Sequence, residues 1–150
     1  MVTRTGRAVV LSMSCAVADT GPVTTVRCPC LSGETYPDCC EPLHQGLREA
    51  PTAVQLMRSR YSAFAVGDAD HLLRTWHTTT RPVDLELDPG VRWTRLDVLE
   101  VAAGGPFDSE GTVEFVAHHR TDGAPGNQHE VSRFVREDGR WVYLGPVGAG

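Results

Sequence analysis

The 150-residue chain contains no lysine and no isoleucine, and its single asparagine is Asn127. Without lysine, Schiff-base catalysis and the P-loop manner of holding phosphates are both excluded. All 14 basic residues are arginine, which codon usage in a GC-rich genome explains more simply than selection for guanidinium forks. Long apolar runs are missing as well. None approaches the ~20 residues that a bilayer-spanning helix needs, so no integral membrane protein is expected. Positive charge is in deficit, with a formal net charge of -5. Phosphate binding requires a basic footprint, so strong nucleic-acid binding is not expected either. Gly-x-Ser-x-Gly and His-Glu-x-x-His motifs are absent. With 41% hydrophobic and 22% charged residues, the chain has material for one ordinary core with small appendages.

Cysteine is in excess. Cys15, Cys28, Cys30, Cys39 and Cys40 are five, and four of them fall within thirteen residues. Disulfides fit this spacing poorly. Adjacent Cα atoms such as those of Cys39 and Cys40 lie ~3.8 Å apart, whereas ordinary bridges want ~4.4–6.8 Å. Two close thiolates, a short loop and two more thiolates suit one tetrahedral ion, and Zn²⁺ takes four such ligands. Free or redox thiols are the alternative. A four-Cys site leaves no open coordination position, so its role is to fold the loop. Ser32-Gly33 supplies the turn, and His44 is either a substitute ligand or a surface or supporting histidine. Ahead of the cluster, Arg4 and Arg7 precede the apolar stretch Ala8–Val17, but Ser12, Ser14 and Cys15 interrupt it. Residues 1–26 therefore read as a disordered tail or an over-extended start, with Met13 rather than Met1 as initiator, in preference to a signal peptide.

Cys28-x-Cys30-x8-Cys39-Cys40, with Ser32-Gly33 in the loop, resembles the SEC-C motif, a small zinc knuckle. Leu31 stands where that motif usually carries glycine. Glu34, Asp38 and Glu41 make this knuckle acidic, which argues further against nucleic-acid docking.

Thr52 predicts an N-cap for a helix over Ala53–Val66, stopped at Gly67. Val54, Met57, Tyr61 and Phe64 form its apolar stripe. Asp68 predicts the cap of a second helix from Ala69 to about His77, with His71 exposed. Residues 78–90 read as irregular. Strands are expected over Val91–Val101, Thr112–Arg120, Gln128–Arg136 and Arg140–Leu144, with a hairpin at Asp138-Gly139. Helices followed by antiparallel strands give an α+β class, helices packed on one face of a curved sheet. Pairing Arg120 with Gln128 across a Thr121–Asn127 loop would set Arg133 opposite Phe115 on the inner face and His119 opposite His129.

Leu56-Met-Arg-Ser-Arg-Tyr-Ser-Ala-Phe64, Thr75-Trp-His77, Val113-Glu-Phe-Val-Ala117, Ser132-Arg-Phe134 and Gly139-Arg-Trp-Val-Tyr143 closely resemble the bacterial YchJ-like family. The resemblance implies a SEC-C knuckle over residues 27–47 and, over residues 52–145, a cone-shaped domain of the nuclear transport factor 2-like fold. A cone offers an inner cavity, for which Arg60, Tyr61, Trp76, His77, Glu114, His129 and Arg133 are candidate polar lining residues. For Tyr61 and Trp76 the competing reading is core packing. For Arg60 and Arg133 it is a partly buried ion pair with Glu114, Glu130 or Asp97. The leading expectation is a cytoplasmic, non-catalytic zinc protein whose cone binds a small ligand or a protein partner. The rival is a small enzyme with His129 or Glu114 as base and Arg133 or Tyr61 polarising the substrate. The cone is expected to keep its fold without the knuckle.

Overall fold

The computed structural model describes residues 26–147, so the expectations about a leader, Cys15 and the initiating methionine lie outside the described residues. The chain begins with the cysteine loop, whose arms meet in an isolated antiparallel bridge between Arg27 and Thr35. A 3-10 turn over Tyr36–Asp38 and a one-turn helix α1, Glu41–His44, follow. Then come α2, Ala53–Val66, and α3, Ala69–Arg74. Four strands complete the fold: β1, Val91–Ala103; β2, Glu110–Thr121; β3, Ala124–Glu137; and β4, Arg140–Pro146.

The helix limits follow from local chemistry. Thr52 Oγ1 accepts the Gln55 N–H at 3.2 Å, and Gly67 closes α2 at φ 82° with its N–H on Ala63 O, as an αL cap does. Asp68 caps α3 by accepting the His71 N–H. That helix ends at Arg74, three residues short of expectation, because the next backbone groups join the sheet. Tyr143 donates to Thr75 O at 2.7 Å and His77 donates to Tyr143 O at 2.8 Å.

The strands form an antiparallel meander in the order β1-β2-β3-β4. Register shifts in β1 after Trp93 and Val98, and in β4 at Leu144 opposite Arg133 and Phe134, bend the sheet, since each bulge adds local twist. Its concave face packs on α2 through Val113, Ala117, Phe134 and Trp141. The start of α2 is fastened to the sheet by Ala53 N–H on Gly104 O at 2.9 Å. Gly104 and Gly111 make this approach possible: a Cβ on Gly111 would stand 2.5 Å from Gly104 Cα, and one on Gly104 2.7 Å from Ala53 Cβ.

The β2–β3 register departs from expectation. The hairpin turns at Asp122 and Gly123, with φ of 53° and 82°, the signature of a two-residue type I′ loop. Arg120 therefore pairs with Pro125, Ala117 with Gln128 and Phe115 with Glu130. The shift is three residues, an odd number, so the two faces of β3 exchange. Gln128, Glu130, Ser132 and Phe134 turn to the concave side. Arg133 lies opposite Thr112, exposed on the convex face, and His119 lies opposite Gly126 rather than His129.

The knuckle does not stand apart. Cys28, Cys30, Cys40 and Leu43 belong to the same buried cluster as Leu56, Met57, Tyr61 and Phe134. The expectation of a cone core independent of the knuckle is corrected by that packing.

Candidate functional site

The four cysteines converge. Their sulfur atoms all lie within 4.8 Å of one another, with Cys30 to Cys39 at 3.6 Å and Cys39 to Cys40 at 3.8 Å. Ligands ~2.3 Å from a tetrahedral centre are ~3.8 Å apart, so the spacing fits a four-thiolate metal site. Hydrogen bonds from Cys28 and Cys40 hold the Cys30 thiol well below its usual range, and the same bonds push Cys28 up to about 12 and Cys40 higher still. Without a positive ion the cluster cannot hold four thiolates together.

Local backbone geometry shapes the loop. Gly33 takes φ 98°, and Leu31 takes φ 64°, a left-handed conformation costly for a side-chain-bearing residue. Ser32 Oγ lies 3.1 Å from Cys39 Sγ. Arg58, reaching from α2, donates to Cys30 O at 2.7 Å and brings positive charge beside the thiolate cluster.

His44 is neither a ligand nor a surface residue. Only 7% exposed, it donates from Nε2 to the Ser59 carbonyl at 2.8 Å and accepts the Tyr36 hydroxyl at Nδ1, 2.7 Å. His71, expected on the surface, is 2% exposed and packs 4.6 Å from the His44 ring. Its Nε2 donates to Ser59 Oγ, which itself donates to Leu56 O; its Nδ1 has no partner among the described residues. Burial lowers its pKa to about 3.

On the opposite side of α2 lies a cavity of about 210 Å³. Seven of the ten aromatic residues line it, so its wall is mostly π surface. Met57, Arg60, Tyr61 and Phe64 reach it from α2, one helical stripe at spacings of three and four. Arg60 is buried, with its guanidinium carbon 5.0 Å from the Trp76 ring centre and 4.7 Å from that of Tyr143. Its Nη1 donates to Leu72 O at 2.8 Å and Thr75 Oγ1 at 2.7 Å. Among the described residues no carboxylate pairs with it, and burial lowers its pKa to about 10. Glu130 faces the same cavity. Its Oε2 accepts both the Tyr143 hydroxyl at 2.7 Å and the Ser132 hydroxyl at 2.6 Å.

Of the residues expected in the cavity, the structure brings together Arg60, Tyr61 and Trp76. Glu114, His129 and Arg133 stand on the convex face, where His129 Nε2 meets Glu114 Oε2 at 2.7 Å. His77 pairs instead with Glu137. Asp97 sits on the convex face too, bonded to His118 and Arg95. Sequence reasoning passed over Glu130, Gln128, Trp93 and Tyr143 as lining residues. The Asp122-Gly123 dipeptide was the signal that would have turned Glu130 inward.

A four-cysteine knuckle docked on a helix-and-curved-sheet cone defines a SEC-C motif protein with a nuclear transport factor 2-like domain. The family profile described as "YchJ, middle NTF2-like domain" matches residues 52–146. The chain is 55% identical over 119 residues to a UPF0225 protein of Streptomyces coelicolor, covering 79% of this chain and 93% of that one. It is 50% identical over 119 residues to a UPF0225 protein of Deinococcus radiodurans, covering 78% and 85%. Two solved structures share the fold. A SEC-C motif containing protein from Rhodopseudomonas palustris has a TM-score of 0.72 at 35% identity, covering 83% of this chain and 100% of that one. One from Psychrobacter arcticus has 0.68 at 27%, covering 84% and 85%. The chain belongs to the YchJ-like UPF0225 family. No helix of the described residues is long and apolar enough to cross a membrane.

Proposed function

We propose that this protein is a non-catalytic binding module of the cytoplasm, in which a structural Zn²⁺ held by Cys28, Cys30, Cys39 and Cys40 steadies a cone whose cavity takes a small ligand. The observation that carries the reading is the cavity itself. An aromatic wall with Arg60 and Glu130 exposed to one chamber is a concave apolar site with a few convergent polar groups. A cone built only for stability would fill that space. Four cysteine sulfurs at tetrahedral spacing support zinc, and a cysteine cluster without disulfides suits a reducing compartment. Of the residues of the enzymatic alternative, both candidate bases, His129 and Glu114, and the candidate polarising residue Arg133 lie on the convex face, so Tyr61 alone of that set lines the cavity and it has no base beside it from the set.

Two measurements test this. Metal analysis of protein purified without added metal should return one zinc per chain; a value near zero with four freely titrating thiols overturns the metal assignment. Heteronuclear NMR with a small aromatic library should move the Trp76 and Trp93 indole signals. The Trp141 indole, which donates to Pro51 O outside the cavity, serves as the internal reference.

A further inference from the structure

We propose that the cavity ligand is a small zwitterion with an apolar or aromatic body, of the amino-acid type, its carboxylate on Arg60 and its ammonium on Glu130. The inference rests on the ligand-binding reading above and names the ligand's chemistry. Two opposite charges line one chamber, and neither has an ion-pair partner among the described residues. They form no direct ion pair with each other, although each contacts Tyr143. Its ring lies under the Arg60 guanidinium and its hydroxyl donates to Glu130 Oε2. Both charges thus touch the same Tyr143 side chain, one over its ring and one at its hydroxyl, and a ligand whose ammonium and carboxylate share a carbon would hydrogen-bond to both.

Each charged group keeps capacity for a ligand. Among the described residues Arg60 donates only from Nη1, and a guanidinium has five N–H donors. Among the described residues, Glu130 accepts both of its hydroxyls on Oε2, and Oε1 has no donor. An unpaired buried guanidinium is costly, and a ligand carboxylate would satisfy it. A purely anionic ligand would meet the uncompensated Glu130, and a purely cationic one would meet Arg60. A zwitterion satisfies both, and Phe64, Trp93 and Phe115 receive its body.

The test uses the whole zinc-loaded protein and four probes: L-phenylalanine, 3-phenylpropanoate, 2-phenylethylamine and indole. Trp93 and Trp76 indole shifts report binding and Trp141 reports the fold. L-phenylalanine should bind at least tenfold more tightly than either half-molecule. In Glu130→Gln, its affinity should fall about tenfold while that for 3-phenylpropanoate holds or improves. Half-molecules that match L-phenylalanine, or indole alone binding, would overturn the zwitterion assignment and leave the ligand-binding cavity standing. No shift with any probe at millimolar concentration would overturn both. The comparison of the four probes on the unaltered protein decides the matter even where Glu130→Gln fails to fold.

Discussion

Removing the metal should destabilise the whole chain. Leu43, carried by the knuckle, is 6% exposed in the common core, and burying such a side chain is worth about 2 kcal/mol. Three hydrogen bonds also tie the knuckle to the helices: Arg58 to Cys30 O at 2.7 Å, His44 to Ser59 O at 2.8 Å, and Arg74 to His44 O at 2.7 Å. At about 1 kcal/mol each, they bring the coupling to roughly 5 kcal/mol, the lower end of the stability of a whole domain. Each kcal/mol moves the midpoint of a domain this size by roughly 4 °C, so chelation should lower it by roughly 20 °C. The assay is thermal unfolding followed by circular dichroism in the sheet region, in reductant, with and without a strong chelator. Cys39→Ser should reproduce the chelated curve. A sheet transition that stays within a few degrees in both cases would refute the reasoning and restore an autonomous cone.

Leu31→Gly should stabilise the metal-loaded protein by about 1 kcal/mol, since it relieves the left-handed strain at an exposed position; a lower melting temperature counts against the loop geometry. Gly111→Ala should cost several kcal/mol, or prevent folding, because its Cβ meets the Gly104 backbone, and soluble expression with calorimetry reads this. His71 holds its folded pKa near 3 against an ordinary 6.5. The unfolded chain therefore binds a proton that the folded chain refuses, and stability is full above pH 6.5 and falls as pH drops towards 3, by up to about 1.4 kcal/mol per unit. His71→Leu should flatten that limb of the pH–stability curve, and an unchanged slope between pH 6 and 4 excludes the assignment. Generic duplex DNA or RNA should bind weakly at physiological salt; a salt-dependent micromolar affinity is the contrary result.

The span of α2, the start of α3 and the convergence of the four cysteines were legible in the sequence because each is written in local chemistry, whereas the end of α3 is set by the sheet that takes up Thr75 and His77. Thr52, Gly67 and Asp68 act within one turn of themselves, and the cysteine spacing needs only a short loop to close. The cavity was less legible because it depends on register. Ala124-Pro-Gly-Asn127 reads as loop material, yet Pro125 sits opposite Arg120 in a strand, and the turn is made earlier by Asp122-Gly123. That one misplaced turn sent Arg133 inward and Glu130 outward on paper. The buried histidines were illegible for another reason: nothing near His44 or His71 in sequence shows that Ser59, a helix away, will accept a hydrogen bond from each.

Helix α2 has two working sides. Arg58, Ser59 and Ser62 face the knuckle, and Met57, Arg60, Tyr61 and Phe64 face the cavity. A single rigid rod thus forms part of both walls, and a small rotation or slide of it alters both at once. Thermodynamic linkage then fixes a symmetry: by whatever factor metal occupancy changes ligand affinity, ligand occupancy changes metal affinity by the same factor.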